Sequence, residues 1–598
     1  MSSKKRSDVP KELTWAVENM FATDAAWEKE VEEITALVPE VAKYKGTFVE
    51  NSKNLLEFCK KFDEVEKRLH TAFVFANLKS SEDNGNTTYQ AMSDKAGTLM
   101  RTVYAAVSFY EPELLSLGEE KINKYLEECE ELRLYTHNFE DTLRKAKHIL
   151  SPEMEEVLTK VGEISQGPGN IYSMINDVDI KFGTIIDENG NEAEVTHASA
   201  YAFALSKNRN VRRDAFKARG KAYVAQKNTL AATYASSVKG DCFFAKMKNY
   251  DSALAAALSE ANIPVDVYHN LIKAVHNNLP SLHKYVDVRK RALGLEDIRN
   301  YDLAVPMVEN VDTKVSYEKA METVVEGVRI LGDEYANMVK HGFENRWVDV
   351  YENEGKTSGA FAWGSYGGPH PFVLMNFNDT VSDMFTLAHE MGHAMHSYYT
   401  WKTQPKVYGS YPIFLAEVAS TVNECLLMDY LLKTTEDADM KKYLINYYMD
   451  QFIGTLFRQT QFAEFEMITH EMQERGETLT VDSLNKVYTE LWVKYHGTDI
   501  IMEEEVSQEW SRIPHFYRAF YVYQYATGYS AAVAFAKRII DGVPNAVEDY
   551  LGFLKAGNSD YAINILKKAG VDMSSPAPVD SALEVFKGLV DQFESYLK

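Results

Sequence analysis

Two histidines flank a glutamate in His389-Glu390-Met391-Gly392-His393, the residues best suited by type and spacing to chemistry. On a helix, residues four apart share one face a turn apart, so both imidazoles can grip one Zn2+. The glutamate between them points to where such an ion holds water, and can act there as a general base. A catalytic zinc takes three protein ligands and keeps a fourth position for water. His396 is a poor third ligand: seven residues past His389, it lies about 10.5 Å along the axis. The segment Pro412–Glu424 offers Glu417 and Glu424, seven apart and on one face of an apolar helix. Buried carboxylates are costly unless paired or on a metal. By spacing alone either glutamate could be the ligand, with the other supporting the site. One Zn2+ per chain is the expected cofactor.

Several elements must position these residues. Thr380-Val-Ser-Asp383 reads as a capped helix start, and Met384, Phe385, Leu387, Ala388, Ala394 and Met395 make that helix largely buried. A tight connection with Gln404-Pro405 and Gly409 would bring the Pro412–Glu424 helix back beside it. Upstream, Phe372-Val-Leu-Met-Asn-Phe377 reads as a strand, which at a sheet edge could hold an extended peptide by main-chain hydrogen bonds. The glycine-rich 359–370 stretch before it is either a moving lid or an irregular crossing of a cleft. Downstream, Pro514-His515-Phe-Tyr-Arg-Ala-Phe-Tyr521-Val-Tyr-Gln-Tyr525-Ala-Thr-Gly528 sets aromatic rings around one histidine. Such stripes are more often core, yet phenols and an imidazole can donate to a developing oxyanion.

The rest of the chain is mostly helical. Leu55, Phe58, Phe62, Val65 and Leu69 recur at steps of three and four, and similar patterns run through 24–45, 88–113 and 119–149. Ser151-Pro152-Glu153 is a helix start, and Ser165–Asn170 is expected to interrupt the helices. Residues 180–195 read as a β-hairpin around Asn189-Gly190; a calcium loop is excluded because glycine falls at its fourth position and Ala198 at its twelfth. Helices resume over 262–293, 315–340, 380–400, 412–433, 437–474, 480–495, 514–540 and 580–597. These patterns divide the chain into an N-terminal helical lobe, 1–200, ending in the hairpin, and a catalytic region, 201–598.

Composition narrows the function classes. In 598 residues, 64 Lys and Arg face 88 Asp and Glu, a net charge of −24. So acidic a chain without a basic patch repels phosphate backbones and anionic membrane surfaces. The four cysteines, Cys59, Cys129, Cys242 and Cys425, form no CxxC pair and so no thiolate zinc site or disulfide framework. No apolar run of about 18 residues could span a bilayer and no secretory leader opens the sequence, so a cytoplasmic location is expected.

HEMGH, the glutamate 28 residues after its first histidine, Gly364-Ser-Tyr-Gly-Gly with Pro371-Phe-Val-Leu-Met-Asn-Phe377, and the 514–528 segment together resemble the M3 family of zinc metallopeptidases, most closely its oligoendopeptidase F branch. The resemblance implies a mostly α fold. It would be a two-lobed helical ellipsoid with a deep substrate channel, a zincin-type active-site helix and a small β-sheet. It implies His389, His393 and Glu417 as zinc ligands and Glu390 as general base, with His515 and a tyrosine of 521–525 at the scissile carbonyl. Tyr525 is the first choice for that tyrosine and Tyr521 the second. The implied activity is cleavage of internal bonds in short unfolded oligopeptides. Alternatives are a peptidyl-dipeptidase or carboxypeptidase on the same scaffold, and a catalytically silent peptide-binding protein.

Overall fold

Apolar steps of three and four become helices in the computed structural model, which describes residues 4–308, 311 and 314–597. The chain forms two compact units. One comprises Met1–Lys147, Thr313–Lys433 and Phe535–Gly570; the other comprises His148–Asp312, Thr434–Ala534 and Val571–Lys598.

In the first unit, α1 (Asp24–Ala42), α2 (Ser52–Glu82) and α3 (Thr87–Ala106) pack together, each started by a polar side chain that caps free backbone N–H groups: Thr23, Asn51 and Asn86. Their buried faces meet around Trp27, Leu55, Phe58 and Phe75. Phe372 and Leu374 enter the same core, and each fully buried side chain of this size contributes about 1.5–3 kcal/mol. Those two residues belong to a sheet of three short strands, β1 (Val348–Asp349), β2 (Phe361–Trp363) and β3 (Phe372–Leu374).

The sheet order is β1-β3-β2, with β3 parallel to β1 and antiparallel to β2. The expected edge strand is therefore central. Its three residues are buried, Phe372 and Leu374 against the helical core, and β1 and β2 are the outer strands of the sheet. Asp349 anchors β1 from below: it is buried against Lys356 Nζ at 2.7 Å and the Arg6 guanidinium.

The glycine-rich 359–370 stretch is held at several points. Tyr366 Oη–H donates to the Gln404 carbonyl at 2.8 Å, and the Ser365 and Thr71 hydroxyls lie 3.0 Å apart. His370 is buried and stacks on Trp347 at 5.2 Å. A Cβ at Gly364 would come within 2.5 Å of the Trp401 ring, and one at Gly367 within 2.6 Å of Thr71 Oγ1. Glycine at these two positions permits close packing.

In the second unit, long helices Lys227–Met247 and Val265–Ala292 pack with Arg458–Glu474 and Val481–His496, and Arg209–Ala225 packs on the 3-10 segment Glu504–Arg512. The hairpin forms as expected, Thr184–Ile186 against Glu192–Glu194, with Gly190 at φ 82° and Asp187 Oδ1 accepting the N–H groups of Asn189 and Asn191 at 2.8 Å. The expected break at Ser165–Asn170 is only a change of turn. Helix Pro152–Ser165 gives way at Gln166 to helix Gly167–Ser173, where Pro168 sits in the first turn and its missing N–H costs nothing. The expected helix over 514–540 begins only at Tyr523, because Pro514–Tyr517 is a 3-10 turn and Phe520 has φ 56°.

Candidate active site

The histidine pair lies on α4 (Val381–Thr403) in the first unit. Thr380 caps it reciprocally with Asp383, the box read from the sequence. The next helix, α5 (Ile413–Thr434), runs against the site-bearing turns of α4. Gly392 makes the approach possible: a Cβ there would stand 2.5 Å from Ser420 Cα and 2.7 Å from the Ala419 carbonyl oxygen. Buried Asn423 ties the helices by donating to the Ala388 carbonyl at 3.1 Å, and is itself fixed by the Tyr335 hydroxyl at 2.9 Å.

This packing brings three ligand-type atoms together. His389 Nε2 and His393 Nε2 are 3.2 Å apart, and Glu417 Oε2 lies 3.3 Å from the first and 3.5 Å from the second. Tetrahedral ligands at about 2.0–2.1 Å from one zinc stand about 3.3–3.4 Å from each other, so the group has the spacing a metal requires. It is the group of at least three such side chains that could hold an ion among the described residues. Glu424 takes the other edge of the His389 ring, accepting from Nδ1–H. That contact fixes the tautomer and leaves Nε2 free to bind a cation. The choice left open by spacing is thereby divided: Glu417 joins the two Nε2 atoms, and Glu424 orients one of the rings.

Electrostatics follow from this crowding. Burial alone would lower the pKa of His389, but hydrogen bonds with Glu417 and Glu424 outweigh it and raise the value well above that of an ordinary imidazole. Burial likewise would raise Glu417, yet the two histidines hold it well below the usual carboxylate range. Glu390 is 6 % exposed and its Oε2 has no hydrogen-bond partner among the described residues. Burial raises its pKa, with His389 and His393 opposing. His396 is fully buried and stacks on Tyr411 at 3.7 Å between ring centroids, which makes it a packing residue; burial pushes its pKa down to about 3.

In the second unit the aromatic stretch separates into two sets. Phe516, Phe520 and Tyr523 are core; Phe516 packs on Phe465 at 5.2 Å and Tyr234 at 5.8 Å. His515 is exposed, Tyr521 and Tyr525 are half-buried, and the three rings form a cluster with centroids 5.3–6.2 Å apart. The two phenol oxygens lie 3.3 Å apart, and the Arg518 guanidinium covers the Tyr521 ring at 4.2 Å. Burial first, and Arg518 second, push the His515 pKa down, favouring a neutral imidazole.

The supporting residues Gly392, Ser420, Asn423 and Tyr335 did not stand out in the sequence. Gly392 and Asn423 had a signal: a glycine inside a buried helix, and an amide on the same face as the two glutamates.

Comparison with known proteins places the whole chain in one family. The model of Peptidase family M3 matches residues 202–585, and that of Oligopeptidase F matches 113–182. The chain is 45 % identical to oligopeptidase PepF of Bacillus subtilis over 592 residues, covering 99 % of this chain and 88 % of the relative. It is 39 % identical to an oligoendopeptidase F homolog of Lactococcus lactis subsp. lactis, covering 100 % of this chain and 99 % of that one. The crystal structure of oligoendopeptidase-F from Enterococcus faecium superposes with a TM-score of 0.73 at 36 % identity, covering 96 % of this chain and 99 % of that chain.

Proposed function

Because this chain belongs to peptidase family M3, in its oligopeptidase F branch, and is a metalloendopeptidase, we propose that it uses one Zn2+ held by His389, His393 and Glu417 to hydrolyse internal bonds of short unfolded oligopeptides. The observation that carries this reading is the 3.2–3.5 Å triangle of ligand atoms with Glu390 beside it, its Oε2 uncommitted.

When bound, zinc supplies polarisation of the scissile carbonyl and a lowered pKa for water. Glu390 Oε2 takes the proton of the attacking water and delivers it to the leaving amine. Glu424 holds the His389 ring in its ligating tautomer. His515 and Tyr525, with Tyr521 second, donate to the oxyanion of the tetrahedral transition state. Exposed His515 and half-buried Tyr521 and Tyr525, beside the buried rings of Phe516, Phe520 and Tyr523, support that role over a core one. The edge of β2 offers main-chain groups to an extended peptide.

The M3 match beginning at residue 202 supports assigning catalysis to 201–598 and an accessory role to 1–200. Free thiols at Cys59, Cys129 and Cys242 are in keeping with a reducing, cytoplasmic setting for an enzyme acting on oligopeptides.

The test is turnover of an end-blocked, internally quenched peptide with and without chelator, and by Glu390→Gln. Chelation should abolish cleavage and zinc restore it, while Glu390→Gln should lose orders of magnitude in rate with about one metal per chain retained. Near-full activity of that variant removes the general-base assignment. Products released only from a free C-terminus favour the peptidyl-dipeptidase reading, and no turnover at all favours a carrier.

A further inference from the structure

The second unit holds a partly open cavity of about 280 Å3, near the lower end of the roughly 300–1,000 Å3 usual for small-molecule sites. Phe216, Tyr223, Phe457 and Trp492 give it an aromatic wall. Set into that wall, in a chain of net charge −24, are Arg219, Arg458 and Arg512. A fourth arginine, Arg212, also lines it, but its charge is met by buried Asp302 at 2.7 Å.

Glu509 answers two of the three. It pairs with Arg512 and, at 3.2 Å, with Arg458, and it also accepts from the Tyr488 hydroxyl at 2.9 Å. Burial would raise the Glu509 carboxyl, but Arg512 and Arg458 hold it down at about 2. Arg219 has no ion pair or hydrogen bond among the described residues. Repulsion from Arg512, with burial second, lowers its pKa to about 10. The other carboxylate of the wall, Glu505, makes no ion pair with any of the three. His496 adds no charge near neutrality, since burial pushes its pKa down to about 4. Three guanidiniums against two carboxylates leave one positive charge. The unused polar groups are donors as well: the amide nitrogens of buried Gln461 and Gln508, both on this wall, have no acceptor among the described residues.

An unpaired guanidinium beside a second one, half-buried in a cavity wall, is repelled by its neighbour and contributes nothing to packing that an apolar chain would not. It is explained by a ligand that brings the missing charge and acceptors. We propose that this cavity binds a small monocarboxylate with an aromatic body, its carboxylate taken by Arg219 and its ring by the aromatic wall. A monoanion neutralises the wall's surplus, whereas a phosphate dianion would overcharge it. Planar, two-pronged pairing with a carboxylate is what guanidinium geometry favours.

Isothermal titration of the full-length, metal-loaded chain with N-acetylphenylalanine tests this, with its uncharged amide and inorganic phosphate as controls. The acid should bind saturably at one site, the amide should not, and phosphate should bind at least about tenfold more weakly. The affinity should be unchanged on the chelated chain, where no metal can take the carboxylate. Arg219→Met should weaken binding by about tenfold or more without lowering the ligand-free Tm, since it relieves repulsion with Arg512; Arg219→Lys should recover part of the affinity. The proposal falls if the acid gives no binding, if chelation removes it, if the amide or phosphate binds equally well, or if Arg219→Met binds as tightly. A Tm lowered by several degrees in ligand-free Arg219→Met would also overturn it, by making Arg219 a structural residue.

Discussion

Gly392→Ala should damage the metal site although no ligand is touched. The added Cβ would sit 2.5 Å from Ser420 Cα, 2.7 Å from the Ala419 carbonyl oxygen and 2.9 Å from the Ser420 N–H nitrogen. All three obstacles are backbone, so no rotamer change relieves them. Reaching ordinary contact at about 3.5 Å requires α4 and α5 to part by about 1 Å. Glu417 is one helical turn from Ser420 and moves with it. Its distances to the two imidazoles, 3.3 and 3.5 Å now, would open to about 4.3–4.5 Å, beyond the spacing of about 3.3 Å that tetrahedral zinc demands. Overpacking costs about 1–3 kcal/mol, offset by about 1 kcal/mol of improved helix propensity, so the metal-free Tm should fall only modestly. Zinc affinity should fall by more than the 10–100-fold typical of losing a supporting contact. Competition against a chromophoric chelator measures the affinity, and calorimetry of the chelated chain measures the stability. Zinc binding at the parent affinity would refute the reasoning, since the close approach would then not set the ligand spacing.

Glu417→Ala should release zinc more completely than Glu424→Ala, which should weaken it about 10–100-fold; metal titration of both decides the order. Tyr525→Phe should lower kcat by about 10²–10³ with little change in KM or Tm, and Tyr521→Phe by less; steady-state kinetics on one quenched peptide separates these from a purely structural role, in which both keep full rates. Asp349→Asn should cost about 3–5 kcal/mol near neutral pH by stranding buried Lys356, while part-exposed Arg6 keeps Glu82 at 3.3 Å. Burial would raise the Asp349 pKa, but Arg6 and Lys356 depress it below its unfolded value, so the stabilisation is present above about pH 4 and is lost as pH falls through the folded value. Urea melts of parent and variant should therefore converge in acid.

Most helices were legible because one buried face leaves a 3.6-residue period, and the expected 262–293 and 480–495 became Val265–Ala292 and Val481–His496. The Asn189-Gly190 hairpin was legible because its turn needs φ > 0. What failed depended on distant partners. That β3 is central rather than an edge follows from β1, whose Val348 pairs in parallel with Val373, and no local pattern announces such a neighbour. Pro168 read as a breaker because the sequence shows its missing N–H but not that the position is a helix's first turn. The site divides the same way. His389, Glu390 and His393 are legible within one turn, whereas the division of labour between Glu417 and Glu424 depends on which edge of the His389 ring each meets.

That division explains the composition of α5. Glu417, Ser420 and Glu424 recur at three and four residues, with Asn423 alongside, along an otherwise apolar helix. Each spends its position on α4: Glu417 on the two Nε2 atoms, Ser420 by lying under Gly392, Asn423 on the Ala388 carbonyl, and Glu424 on His389 Nδ1. A helix face carrying two carboxylates and a buried amide is a poor packing surface on its own. It is tolerable here because the two carboxylates and the Asn423 amide nitrogen all meet partners on α4, while the Ser420 hydroxyl is satisfied within its own helix by the Glu417 carbonyl, so the interface that holds α4 and α5 together is also the one that spaces the ligands. A substitution that improved this interface as core, such as a leucine at Glu424, should then raise or preserve the Tm of the chelated chain while lowering zinc affinity. Thermal melts beside metal titrations would expose that opposition, and a variant gaining or losing both together would contradict it.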